Sequence, residues 1–245
     1  MRTGHTTYLL MDRLILNCDL GEDEPLEQTE QLLSLVDAAN IGCGFHAGSA
    51  EKTRATLQLA IKYGVRIGAH PGISTDGGRG EARPSPVDFR ELLESQFGAF
   101  RETASSLGAH VEYLKLHGSL YHAVESQIEM ADVTIGFLRR QRPKLSVFAL
   151  AGGVFARRAE AAGITVYHEA FADRNYQSDG SLVPRTEKGA VLSEKEALAR
   201  LLVWRETGEM PSRGGQTIDF EANTLCVHGD SPGAVNMIRK IRLLI

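Results

Sequence analysis

Short apolar runs recur along this chain, each followed by a stretch whose apolar residues repeat at helical spacing. Seven such runs stand out: "RLILNCD", "AANIGCGFH", "GVRIGAH", "VEYLKLH", "LSVFALAGG", "ITVYHEAF" and "TLCVHGD". Strand and helix taking turns in this way point to a parallel α/β fold. Periodicity alone leaves open whether the sheet closes into a barrel or stays a doubly wound open sheet. Several helix starts are spelled out: Ser85-Pro86 with Asp88 ahead of "FRELLESQFGAF", Ser193 with Glu196 as a capping box, and Ser231-Pro232 before the last helix. Between His168 and Thr224, "DGSLVPR" and "GAVL" predict a small β excursion ahead of the helix.

With 245 residues, 42% of them hydrophobic and 24% charged, the chain has an ordinary globular composition and room for a large core. No low-complexity stretch, short repeat or linker divides it. One domain over residues 14–245 is therefore expected, preceded by a mobile extension, 1–13, whose removal leaves folding unchanged. The 27 Lys and Arg against 31 Asp and Glu leave a net charge of -4, which favours neither nucleic acid nor an anionic membrane as partner. No apolar run approaches bilayer length and no signal-peptide core is present, so a cytoplasmic protein is expected. Cys18, Cys43 and Cys226 are odd in number, far apart and without C-x-x-C spacing. They read as buried, reduced thiols on the first, second and seventh strands.

Polar residues of the strands gather at the carboxyl ends. Asp19 follows the first, His46 lies just past the second and His70 closes the third; Lys115 and His117 sit on the fourth. Asp173 and Arg174 lie beyond the sixth, and His228 and Asp230 end the seventh. In parallel α/β folds that rim is where sites are built. Each residue alone has a plain structural reading: a strand-end histidine usually satisfies a hydrogen bond, an Asp-Arg pair braces a loop, and a lysine snorkels. Histidines ending four different strands, each with a glycine close by in "HAG", "HPG", "HGS" and "HGD", argue for a site whose backbone a ligand approaches closely. His5, His110 and His168 lack that setting and are expected to be structural or solvent-facing. In "NIGCGFHAG", the second strand should end near Gly42 and His46 should face the inside of the mouth, near Asp19 and His70.

There is no G-x-x-x-x-G-K-[ST], G-x-S-x-G or H-E-x-x-H, and "ALAGGVFARR" is only a weak glycine turn before a helix. A divalent metal held by Asp19 with His46, His70 or His117 is chemically sensible, though spacings across separate strands do not fix ligand geometry.

Six blocks, "LNCDLGE", "ANIGCGFHAG", "GVRIGAHPG", "KLHGSLY", "FADRNYQSDGSLVPR" with "GAVL", and "LCVHGD", run in the order found in the LamB/YcsF family, which the chain resembles from about Leu14 to its end. The resemblance implies a seven-stranded parallel β/α barrel of the glycosidase and deacetylase type. It also implies the activity of a prokaryotic 5-oxoprolinase, which opens the lactam 5-oxoproline (pyroglutamate) to L-glutamate with ATP as co-substrate, on this chain or on a partner, in the company of subunits B and C. Matching motif to motif gives Asp19, His46, His70, Lys115 and His117 as catalytic candidates and Asp173, Arg174, Arg185, His228 and Asp230 as substrate-binding ones. Two rim loops, after Glu22 and after Gly72, depart from the family pattern, "ISTDGGRGEARPSP" being the second. The chemistry expected is a base, Asp19 or His46, activating the attacking group, with Lys115 and Arg174 offsetting negative charge and His70, His117 and His228 orienting groups or shuttling protons. The rival readings are a metal-dependent amide hydrolase or deacetylase on a related barrel, and a non-catalytic scaffold protein in the complex.

Overall fold

A computed structural model of the chain describes residues 14–74, 84–230 and 233–245. The expected N-terminal extension, most of the loop after Gly72 and the Ser231-Pro232 helix start lie outside the described residues. Strands β1 (Ile15–Leu20), β2 (Ala38–Gly42), β3 (Arg66–His70), β4 (Tyr113–Leu114), β5 (Ser146–Leu150), β6 (Val166–Phe171) and β9 (Thr224–His228) form a closed barrel. Every neighbouring pair is parallel. Closure runs through β1 and β9, with Asn17 opposite Cys226, so the sheet has no free edge there.

The helices between the strands are α1 (Leu26–Leu33), α2 (Ala50–Tyr63), α3 (Pro86–Ser106), α4 (Gly118–Ser126), α5 (Ile128–Arg140), α6 (Val154–Ala161), α7 (Glu194–Thr207) and α8 (Ala234–Arg242). Two of the starts read from sequence are in place. Ser85 Oγ accepts the Asp88 backbone N–H at 3.2 Å with Pro86 in the first turn of α3, and Ser193 with Glu196 forms a full capping box on α7.

Period-2 alternation sorts each strand into two faces. Leu16, Cys18 and Leu20 of β1, Ala39 and Ile41 of β2, Ile67 and Ala69 of β3, and Leu225 and Val227 of β9 join the large apolar layer under the helices. The alternate residues turn to the barrel axis. At the bottom, Ala38, Tyr113 and Phe148 form a separate small core in which the two rings stack, centroids 4.0 Å apart. Tyr113 fits because its register partner on β3 is Gly68, where a Cβ would stand 2.0 Å from the ring. Above this plug the axis is polar, and the barrel interior becomes a hydrogen-bonded column leading to the mouth.

Three expectations need correction. The fourth strand spans two residues, so Lys115 and His117 lie past it rather than on it. Cys43 is one residue beyond β2. Between β6 and α7 the chain makes only the isolated bridges Arg174 to Val191 and Tyr176 to Leu182. The antiparallel pair β7 (Glu209–Pro211) and β8 (Thr217–Asp219) comes after that helix instead, around the turn in "SRGGQ".

All three cysteines are free and buried. Burial raises the Cys18 and Cys226 thiols well above their usual range and Cys43 to about 12. The native protein is therefore expected to resist a thiol-specific reagent at pH 8 and to expose all its thiols only on unfolding. Rapid native labelling of any of them contradicts this packing.

Candidate active site

The polar column begins with Asn17, whose Nδ2 donates to Thr224 Oγ1 at 2.7 Å. Asn40 Nδ2 donates to Asn17 Oδ1 and to Asp19 Oδ1, both at 2.7 Å, while Tyr113 O–H donates to Asn40 Oδ1 at 2.8 Å. Lys115 caps this column. Its Nζ lies 2.7 Å from Asp19 Oδ1, 3.0 Å from Glu169 Oε1 and 3.0 Å from Cys226 Sγ, above the Phe171 ring. Burial works against the charge of Asp19, but Lys115 and His70 outweigh it and hold the carboxyl well below the usual carboxylate range. Burial likewise opposes the Lys115 cation, and Asp19 overcomes it, raising the ammonium well above its ordinary value. Glu169 is different: burial dominates and its carboxyl is raised despite Lys115. The ion pair is thus chiefly Lys115 with Asp19.

Beside it stands a second buried group. Glu22 Oε1 is 2.9 Å from His46 Nε2, 3.1 Å from His117 Nδ1 and 3.7 Å from His70 Nε2. His117 Nδ1 is also 3.1 Å from His70 Nε2, and His70 Nδ1 is 2.8 Å from the Lys115 carbonyl. One donor atom from each of these four residues lies within 4.8 Å of one from every other, so the group could hold a metal ion. Burial raises the Glu22 carboxyl, but hydrogen bonds from His117 and His46 prevail and set it well below its usual value. Burial pushes the His117 imidazole down to about 4.

The sequence dictates this convergence locally. Gly44 and Gly48, with φ of +78° and +66°, turn the chain after β2 back over the rim, and a Cβ on Gly48 would meet the Gly21 carbonyl at 2.5 Å. The Glu24 carboxylate accepts the Gly21 and Glu22 backbone N–H groups at 2.7 and 3.0 Å and so fixes the segment carrying Glu22. Gly72, clasped by the Gln96 side chain, leaves the space the His46 ring occupies: a Cβ there would lie 2.7 Å from His46 Cγ and 2.9 Å from His117 Cβ. Gly72→Ala is expected to cost about 1–3 kcal/mol of stability by overpacking. By shifting the two imidazoles it should also slow any reaction they serve about 10²-fold. Urea unfolding with a turnover assay checks both, and an alanine variant with normal values of each contradicts the packing described.

On the far strands, His228 Nδ1 faces both oxygens of the fully buried Asp173, at 3.0 and 3.1 Å, and its Nε2 lies 3.7 Å from Asp19 Oδ2. Arg174 donates to the Val183 carbonyl at 2.7 Å, while its Nε is buried without a hydrogen-bond partner among the described residues. Burial and the nearby Arg185 lower its pKa to about 10. A cavity of about 470 Å³ opens over all of this.

Of the residues singled out by sequence, Asp19, His70, Lys115, His117, Arg174, Arg185 and His228 line that cavity. His46 is close to His70, with ring centroids 5.7 Å apart, but its hydrogen bond goes to Glu22 rather than to Asp19. Asp173 stands behind His228. Asp230 sits on the exposed edge, 3.8 Å from Arg185. His168 pairs with Glu160 at 2.9 Å away from the mouth, and His5 lies outside the described residues. Sequence reasoning passed over Glu22, although "DLGE" contains it, and Glu169, Asn17 and Asn40, which read as ordinary strand positions.

The profile of the LamB/YcsF family matches residues 14–245. The chain belongs to the LamB/YcsF family. Among other members, the A subunit of a 5-oxoprolinase from Heliobacterium modesticaldum is 37% identical over 236 residues, covering 94% of this chain and 93% of that one. The A subunit of the Nocardia farcinica 5-oxoprolinase is 40% identical over 234 residues, covering 94% of each. The crystal structure of a lactam utilization protein from Thermus thermophilus superposes with a TM-score of 0.84 at 31% identity, over 95% of both chains. Among the described residues of this LamB/YcsF protein, no helix is long and apolar enough to cross a membrane.

Proposed function

We propose that this chain is the A subunit of a 5-oxoprolinase, opening 5-oxoproline to L-glutamate in the cytoplasm with ATP as co-substrate and subunits B and C as partners. The names borne by its relatives support the substrate. The observation that carries the reading to this chain is the composition of one cavity wall: an imidazole backed by a buried carboxylate, a buried ammonium, and two neighbouring guanidinium groups, Arg174 having a donor to spare. These are a base, a cation for developing negative charge and a seat for a substrate carboxylate.

A five-membered lactam is a stabilised amide, and phosphorylation of its oxygen at the expense of ATP makes the ring carbon electrophilic. His228 is the base the geometry favours. Asp173 accepts a hydrogen bond from Nδ1–H, which leaves the Nε2 lone pair toward the cavity to take a proton from water. The water oxygen bonds to the lactam carbon, the ring C–N bond breaks, and the nitrogen takes up the proton. Lys115 offsets the charge on the oxygen, and Arg174 with Arg185 holds the carboxylate. Asp19, whose pKa is depressed, is a poor base and acts by keeping Lys115 charged and in place. The roles of base and orienting carboxylate thus pass from Asp19 and His46 to His228 and Asp173.

The test is co-expression with subunits B and C followed by assay of 5-oxoproline and other small lactams. ATP-dependent glutamate release that requires this chain is expected. A well-assembled complex that opens a different lactam and leaves 5-oxoproline untouched rejects the substrate.

A further inference from the structure

We propose that Glu22, His46, His70 and His117 form a binding site for one divalent transition-metal ion, with Zn²⁺ the ion that the donor set suits best. The inference stands on the geometry of these four side chains and does not depend on the substrate assigned above.

The four come from adjacent rim positions, past β1, past β2, at the end of β3 and past β4, and all are buried. In a tetrahedral site with metal–ligand bonds of about 2.0–2.1 Å, neighbouring donor atoms stand about 3.3 Å apart. Here Glu22 Oε1 is 2.9 Å from His46 Nε2, 3.1 Å from His117 Nδ1 and 3.7 Å from His70 Nε2, and His70 Nε2 is 3.1 Å from His117 Nδ1. These separations bracket the required edge without any movement of the chain.

Proton placement argues the same way. The Lys115 carbonyl can only accept, so His70 carries a proton on Nδ1 and, as the neutral ring, turns the Nε2 lone pair inward. His117 Nδ1 then faces two acceptors, His70 Nε2 and Glu22 Oε1, with one hydrogen to share between them. A cation at the centre satisfies every one of these lone pairs at once. The hydrogen bond from His70 to a backbone carbonyl is also the outer contact that metal-bound histidines usually have, and Glu24 holds the Glu22 backbone in a similar supporting role. Three imidazoles with one carboxylate suit zinc and its neighbours, not Mg²⁺ or Ca²⁺, which take oxygen ligands. Asp19 is not a member of the set. It is bound to Lys115 and Asn40, which corrects the grouping expected from sequence. His70 and His117 also line the cavity, so a bound ion would border the space where a substrate enters.

The experiment is metal titration of the chelator-dialysed chain, by calorimetry with Zn²⁺ and with Mg²⁺, and by visible absorption with Co²⁺. Expected are one equivalent of Zn²⁺ per chain with a Kd of about 1 µM or tighter, Mg²⁺ at least about 10³-fold weaker, and an intense four-coordinate Co²⁺ band. His46→Gln and His117→Asn should each weaken Zn²⁺ at least about 10²-fold, and Glu22→Gln about 10-fold or more, while His168→Gln, remote from the site, leaves it unchanged. Absence of stoichiometric Zn²⁺ uptake by the folded wild type overturns the proposal, as does affinity unaltered in the three site variants. A weak, octahedral Co²⁺ spectrum does so too. The wild-type titrations need no substitution, so they decide the matter even if a variant fails to fold.

Discussion

Asp173→Asn is expected to slow lactam opening about 10³-fold or more while leaving the fold intact, in the manner of a base held in the wrong tautomer. Asp173 Oδ2 accepts the backbone N–H of His228 at 3.2 Å, and both its oxygens face the ring Nδ1. In asparagine the single oxygen keeps the backbone bond and the amide NH₂ turns to the ring. Nδ1 must then accept, the proton moves to Nε2, and the atom facing the cavity can no longer take a proton from water. His228→Ala should show a similar loss, and the double variant little more, because the two act as one unit. Steady-state rates of the reconstituted complex decide this; an Asp173→Asn enzyme within tenfold of wild type would remove His228 from the role of base.

Lys115→Met should be nearly as damaging to turnover, about 10²- to 10³-fold, and far more damaging to stability. It leaves Asp19 and Glu169 buried without their cation, a loss of about 3–5 kcal/mol when one partner of a buried pair is removed. The sign of the pH effect is specific. In the native protein the depressed Asp19 pKa contributes stability above about pH 3.9, the unfolded value, and that contribution is lost as pH falls through the folded one. Without Lys115, burial raises the Asp19 carboxyl above its unfolded value, so the folded variant binds more protons than the unfolded chain. Its deficit relative to wild type should therefore shrink between pH 7 and pH 5. Urea unfolding at the two pH values measures it, and a deficit that stays constant or grows shows that Lys115 does not neutralise this pair.

The rim positions were legible because a charged or imidazole side chain at the end of an apolar run has few structural uses. "LNCD", "IGAH" and "LCVH" each carry one, and closure of the barrel brings all three to one mouth. Glu169 was not legible: in "ITVYHEAF" it alternates with His168, and sequence does not tell which of the two faces the axis. His168 proved to be the outer residue, paired with Glu160, and Glu169 the inner one. Asn17 and Asn40 escaped for the same reason, since a polar residue inside a strand of an α/β fold gains meaning only once the ring closes. Glu22 lies in a recognised block, but its partners come from segments up to about a hundred residues away and no spacing announces them. The hairpin of β7 and β8 was displaced in the reading because "DGSLVPR" offers stronger turn residues than the three-residue strands that pair.

Lactam opening at this chain's mouth, with His228 as base and Lys115 as cation, is tested most directly by assembling the His228→Ala chain with subunits B and C and measuring glutamate release from 5-oxoproline and ATP. An intact complex with release reduced at least about 10³-fold is the predicted result. Release at the wild-type rate from that complex would contradict it.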